Sequence, residues 1–69
     1  MTTTEFRLAK TFVSDTEVSY DVYENGEYVA YINENVKSGF CEIYIYDVEQ
    51  EDHTVSYECD SIDQALDLI

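Results

Sequence analysis

Phe40-Cys41-Glu42-Ile43-Tyr44-Ile45-Tyr46-Asp47-Val48-Glu49-Gln50-Glu51-Asp52-His53-Thr54-Val55-Ser56-Tyr57-Glu58-Cys59 is the stretch that decides the fold. Cys41, Ile43 and Ile45 alternate with Glu42, Tyr44 and Tyr46, and Val55, Tyr57 and Cys59 alternate with Thr54, Ser56 and Glu58. Period-two alternation marks half-buried strands, here two of them joined by the acidic turn Asp47 to Asp52. A one-residue slip would turn either apolar set to solvent, so the register must keep both on one face. A five-residue loop, Val48 to Asp52, does so: Asp47 faces His53, Ile45 faces Val55, Ile43 faces Tyr57 and Cys41 faces Cys59. A four-residue loop would set Ile45 beside Ser56. Cys41, Ile43, Ile45, Val55, Tyr57 and Cys59 are then scaffold, and Glu42, Tyr44, Tyr46, Glu58 and the turn are candidate surface.

Upstream, Glu17–Glu24 and Glu27–Asn33 flank Asn25-Gly26, the pair favoured in a type I′ hairpin because both central residues need positive φ. Pairing Glu24 with Glu27 sets Tyr23 against Tyr28, Val22 against Val29, Tyr20 against Tyr31 and Val18 against Asn33. One face then carries Val18, Tyr20, Val22, Val29 and Tyr31, and the other Ser19, Asp21, Tyr23, Tyr28, Ala30 and Ile32. The second strand chooses its core side cleanly, but the third is split. Either a bulge resolves the conflict or both faces are partly covered. Before this hairpin, Phe6, Leu8 and Phe12 alternate with Arg7, Ala9 and Thr11, with Lys10 the one misfit, and Ser14 to Glu17 form a turn that sets Phe12 against Val18 and Leu8 against Val22. Asn33 to Gly39 reads as a loop, and residues 1–4 as a frayed end.

Downstream, Ser61 and Gln64 form a capping box and Asp63 favours the positive helix end. Ile62, Ala65, Leu66 and Ile69 make one apolar stripe, which predicts a helix over about 61–69 that is too short to persist without packing on the sheet. The expected fold is α+β: one domain over 1–69, an antiparallel sheet of four to five strands with hairpins at 17–33 and 40–59, and a C-terminal helix on one face.

The chain has 69 residues, with 16 acidic side chains against three basic ones, Arg7, Lys10 and Lys37, for a formal charge of −13. With 45% hydrophobic residues, seven Tyr, three Phe and no Pro, it is too rich in core formers to be a disordered acidic tail. The imbalance argues against direct contact with nucleic acid or an anionic membrane, where Lys and Arg do the neutralising. The N-terminus lacks a signal-peptide pattern and nothing has the length of a membrane span, so a cytoplasmic location is expected. In that compartment Cys41 and Cys59 are expected to be small buried thiols, with a cross-strand disulfide the alternative.

No stretch reads as a catalytic motif. Two cysteines and one distant histidine are too few soft ligands for zinc. The run from Asp47 to Glu58 has acidic groups at positions 1, 3, 5 and 12 of a calcium loop, but Asp52 stands where that loop needs glycine and Val55 where it needs a ligand. His53 beside Asp47 lacks a nucleophile and reads as a rim histidine paired with a carboxylate. Glu42 and Glu58 face each other without a cleft to hold a glycoside. The expectation is a non-enzymatic protein with no cofactor and no metal. Tyr23, Tyr28, Tyr44 and Tyr46 share the outward face with Asp21, Glu42 and Glu58. Tyrosine offers rigid contact area with a polar tip; partner binding, self-association and plain surface all stay open.

Alternate residues on one strand lie about 6.8 Å apart and neighbouring strands about 4.8 Å apart, so sheet carboxylates sit within a Debye length of ~8 Å and their fields add. Such a grid competes with phosphates for a groove lined by Lys and Arg. In size, charge ratio and acidic segments such as Tyr20-Asp21-Val22-Tyr23-Glu24-Asn25-Gly26-Glu27 and Asp47–Asp52, the chain resembles the small acidic phage-type DNA-mimic inhibitors, anti-CRISPR and anti-restriction proteins among them. That class has no diagnostic motif, so no residue transfers by alignment. The resemblance implies an inhibitor, monomeric or homodimeric, in a host cell's cytoplasm. Its partner would be a basic nucleic-acid-binding protein or ribonucleoprotein such as a Cas effector. The residues expected to bind are Asp21, Glu24, Glu27, Glu42, Tyr44, Tyr46, Asp47, Glu49, Glu51, Asp52 and Glu58, with the Asp47–Asp52 turn as one acidic edge and Asn25-Gly26 setting the other. The alternatives are a homodimeric phage accessory module and a halophile protein whose charge serves solubility.

Overall fold

The computed structural model describes residues 5–69; the end expected to fray, 1–4, lies outside the described residues. Five strands, β1 (Phe6–Val13), β2 (Glu17–Glu24), β3 (Glu27–Asn35), β4 (Cys41–Asp47) and β5 (Asp52–Cys59), precede one helix, α1 (Ile62–Leu68). All neighbours are antiparallel and the order is β1-β2-β3-β4-β5, a meander in which each strand pairs with the next in sequence.

Local chemistry accounts for the connections. Asn25 and Gly26 take φ of 52° and 89°, the positive values a tight hairpin turn requires. Asn25 also ties down the start of β1, because its N–H donates to the Glu5 carbonyl (2.9 Å) while its Oδ1 accepts the Glu5 N–H (3.0 Å). The β3–β4 loop is held by Asn35, whose Oδ1 accepts the N–H groups of Lys37 and Ser38 at 3.0 and 3.1 Å. Gly39 closes that loop at φ 79°, where a Cβ would press on the Asp60 carbonyl at 3.3 Å. Ser61 caps α1 by accepting the Gln64 N–H (3.2 Å), and the Gln64 side chain accepts the Asp60 N–H (3.0 Å).

Three bulges govern which side chains face the core. In β3, Val29 is an extra residue: Tyr23 pairs with Tyr28 as expected, but Val22 then pairs with Ala30, Asp21 with Tyr31 and Tyr20 with Ile32. The expected pairs of Val22 with Val29, Tyr20 with Tyr31 and Val18 with Asn33 do not form; Val18 meets Glu34. The bulge resolves the split third strand, since it flips parity so that Ala30 and Ile32 join Val22 on the core face while Tyr28 stays beside Tyr23. In β5, Thr54 is the extra residue. The register from Cys41–Cys59 to Ile45–Val55 is the expected one, but beyond it Tyr46 pairs with His53 and Asp47 with Asp52, in place of Asp47 with His53. A four-residue loop, with Glu51 at φ 55°, plus one bulge thus achieves the parity expected of a five-residue loop. In β1, Leu8 meets Val22 as expected, whereas extra residue Thr11 moves Phe12 from Val18 to Ser19.

Val22, Ala30, Ile32, Cys41, Ile43 and Ala65 are fully buried, and Phe6, Leu8, Tyr20, Val29, Ile45, Cys59, Ile62, Leu66 and Ile69 pack against them. Every apolar member of the expected helical stripe is therefore in or against this cluster. Val55 and Tyr57, expected as scaffold, are instead 45% and 44% exposed, because β5 is an edge strand with a neighbour on one side only.

Candidate functional site

The face opposite the core cluster is organised in rows that cross the strands, since directly paired residues point the same way. The first row runs Arg7, Tyr23, Tyr28, Tyr46, His53, one residue from each strand. The Arg7 guanidinium lies 5.0 Å from the Tyr23 ring centroid, a cation–π distance. Tyr23 meets Tyr28 edge-on at 5.9 Å, Tyr28 meets Tyr46 at 5.3 Å, and Tyr46 meets His53 edge-on at 5.4 Å. The Tyr28 hydroxyl and His53 Nε2 share a hydrogen bond of 2.8 Å. The second row is Ala9, Asp21, Tyr31, Tyr44, Ser56, with the Tyr31 and Tyr44 rings 6.0 Å apart. The third is Phe12, Ser19, Asn33, Glu42, Glu58.

Two of the bulges build the first row. In an unbroken strand Tyr28 would share a face with Ala30, and His53 with Val55. Val29 and Thr54 sit at the same height in β3 and β5, and each turns the residue before it away from the core and onto the tyrosine face. Stacking then holds the rings at fixed angles, and edge-to-face aromatic pairs add about 0.5–1.5 kcal/mol each beyond their buried area.

The polar chemistry of this face is dominated by acceptors. The Tyr44 hydroxyl donates to Glu42 Oε2 at 2.8 Å, and this bond, followed by burial, pushes the Tyr44 hydroxyl above the usual tyrosine range. Burial, followed by the charge of Asp21, does the same to Tyr28. Asn33 Oδ1 is buried and has no hydrogen-bond partner among the described residues. Glu42 and Glu58 lie side by side in the same row.

The meander adds a second feature. The β2–β3 and β4–β5 turns fall at the same end of the sheet, not at opposite edges as expected, because two strand reversals separate them. Glu5, Glu24, Glu27, Asp47, Glu49, Glu51 and Asp52 therefore gather at one end, with Asp47 directly opposite Asp52 and Glu24 opposite Glu27. Asp47 Oδ1 accepts the Glu49 N–H (2.9 Å) and Asp52 Oδ1 the His53 N–H (2.8 Å), which fixes the conformation of the acidic turn.

Of the residues singled out from sequence, Asp21, Glu42, Tyr44, Tyr46 and Glu58 share the tyrosine face, and Glu24, Glu27, Asp47, Glu49, Glu51 and Asp52 form the acidic end beside its first row. His53 is not paired with Asp47; it stacks between tyrosines. Tyr31, which the expected register set on the face of Val22 in a strand whose core side was left split, belongs to the second row. Arg7, Tyr31, Asn33 and His53 are members of this surface not singled out from sequence as binding residues. Alternation in β1 already set Arg7 on the face opposite Phe6 and Leu8, the split parity of β3 pointed to Tyr31 and Asn33, and no sequence signal marked the Thr54 bulge that turns His53.

Cys41 and Cys59 are free thiols directly opposite one another; Cys41 is buried, which raises its pKa to about 11, while Cys59 is half-buried. No three His, Cys, Asp or Glu side chains among the described residues are grouped to hold a metal ion, and no helix there is long and apolar enough to cross a membrane. Comparison with protein-family models, with curated proteins and with solved structures finds no match to this chain.

Proposed function

We propose that this chain is a non-enzymatic inhibitor that docks its acidic end and tyrosine face onto the basic nucleic-acid-binding surface of another protein or ribonucleoprotein, in the manner of an anti-CRISPR DNA mimic on a Cas effector. In this reading α1 lies on the core face of the sheet and leaves the tyrosine face free for the partner. The observation that carries the proposal is the gathering of seven carboxylates, from Glu5 to Asp52, at one end of the sheet, next to a row of rings already locked by mutual stacking.

The physical logic has three parts. The summed field of the acidic end steers a basic groove toward it over distances longer than any contact, and fast association follows. The tyrosines lose little rotamer freedom on binding because they are already ordered, so the entropic cost of docking is small. Asp21, Glu42 and Glu58 present carboxylates for Lys and Arg donors, the groups that such a groove holds for phosphates.

The test is competition. The purified chain is titrated into basic nucleic-acid-binding complexes, Cas effectors among them, loaded with labelled target DNA, across a salt series. Displacement of the DNA at low salt, weakening as salt rises, supports the reading. Displacement that ignores salt, or none at any salt, overturns it.

A further inference from the structure

The free edge of β5 from Val55 to Cys59 lies apart from the acidic end and from the row of stacked rings. Edge strands ordinarily discourage added strands with lysine, proline or a bulge in mid-strand. The other edge, β1, follows that rule: it carries exposed Arg7 and Lys10 and is broken at Thr11. β5 does not. It contains no Lys, Arg or Pro, its bulge lies near the turn, and the run from Val55 to Cys59 pairs regularly with β4 on one side and, among the described residues, with no strand on the other. Val55 and Tyr57 are exposed on the core side of this run, and a groove of about 530 Å³ between β5 and α1 is lined by Phe40, Cys59, Gln64 and Leu68, of which Phe40 and Leu68 are 38% and 44% exposed. Asp60 and Asp67 complete the lining together with Glu58, whose place in the β4–β5 ladder is on the opposite face.

We infer that β5 accepts a sixth strand: an extended segment of a partner protein in which basic and aliphatic side chains alternate. Main-chain hydrogen bonds to β5 supply affinity, and alternate pockets read the side chains. The aliphatic positions pack on Val55, Tyr57 and the Phe40–Leu68 groove, and the Lys or Arg positions, which alternate onto the opposite face, meet Glu58 in a negative field to which Asp60 and Asp67 add. Charge decides against a second copy of this chain as occupant. An antiparallel β5–β5 pair would bring together two subunits of formal charge −13 through strands that hold only acidic charges. Like charges set opposite each other in a ladder are destabilising.

The probe is a fluorescent peptide of about seven residues alternating lysine and valine, with two companions: one with glutamate in place of lysine, and one N-methylated on alternate backbone amides. Binding is followed by anisotropy and mapped by amide chemical-shift changes in the intact chain. The expected result is saturable binding of the lysine–valine peptide with shifts confined to β5, α1 and Phe40, and loss of at least about tenfold in affinity for both companions, because one lacks charge complementarity and the other lacks donors. Val55→Lys and Tyr57→Lys, at positions exposed enough to leave the core intact, are expected to weaken binding similarly. Shifts confined to the tyrosine face or acidic end would overturn the inference, as would equal binding of the N-methylated peptide or concentration-dependent dimerisation through β5 without any peptide.

Discussion

Deletion of Val29 separates a bulged β3 from a regular one. In the observed register Tyr23–Tyr28 and Val22–Ala30 are successive pairs with Val29 between them unpaired. Removing it should join the two halves into an unbroken ladder and leave every other pairing in place. What is lost is the packing of a half-buried valine against the core. Full burial of a valine is worth about 1.5–3 kcal/mol, so a partial loss, offset by the straightened ladder, comes to about 1 kcal/mol. For a domain of this size that lowers the thermal midpoint by about 4–8 °C. Ile32→Ala, at a fully buried position of the same strand, should cost about 2–5 kcal/mol by contrast. Had β3 run regularly through Val29, the same deletion would drive either Ala30 and Ile32 or the Asn25–Gly26 hairpin out of place. The assay is thermal unfolding by circular dichroism, with a nuclear Overhauser contact between the Tyr28 and Tyr46 rings as a second readout. A deletion as damaging as Ile32→Ala, or one that abolishes the ring contact, would refute the bulge as the device that sorts β3.

Replacing Glu49, Glu51 and Asp52 together by lysine should weaken binding to a basic partner by at least about tenfold at low salt, while melting in dilute buffer stays level or rises as repulsion at the acidic end is relieved; a fall in melting temperature without loss of binding would count against the proposed role. Tyr44 and Tyr28 hold their protons more tightly folded than unfolded, so their contribution is complete below the ordinary tyrosine pKa near 10 and is lost as pH rises through the elevated folded values. Stability should therefore decline above pH 10, and Glu42→Ala, which removes the acceptor of the Tyr44 hydroxyl, should bring part of the tyrosinate titration to lower pH in the folded chain. With its thiol buried and its pKa near 11, Cys41 should resist iodoacetamide at neutral pH in the folded chain and react once urea exposes it. Ser61→Ala removes the cap on α1 and should cost about 1 kcal/mol, and Ile62→Asp should be as damaging as a strand-core substitution; an unmoved midpoint in the latter would show that α1 adds nothing to the core.

Strands, turns and helix were largely legible because each rests on neighbours in the chain. Asn25-Gly26 can hardly be anything but a tight turn, the Ser61–Gln64 spacing is a helix start, and alternation around Ile43 and Ile45 is a half-buried strand. The Cys41–Cys59 to Ile45–Val55 register was also legible, since only one parity keeps both apolar sets together. The candidate site was legible as a set of charges and tyrosines but not as a surface. Val55 and Tyr57 carry the same alternation as Ile43 and Ile45, and nothing in their own strand says that no sixth strand covers them.

By itself, then, the sequence determined which segments extend, where they reverse and how strongly negative the whole must be, all of which depend on residue type and near spacing. Tertiary structure alone decided that Val29 and Thr54 bulge, that Tyr28 and His53 join Tyr23 and Tyr46 in one row, and that both acidic turns meet at one end. The reason is physical. A bulge sacrifices local ladder pairing, and only the packing of three adjacent strands, Val22, Ala30 and Ile45 inward and their aromatic neighbours outward, offsets that cost. Strand order, likewise, is a property of the assembled sheet, and no residue along the chain encodes it alone.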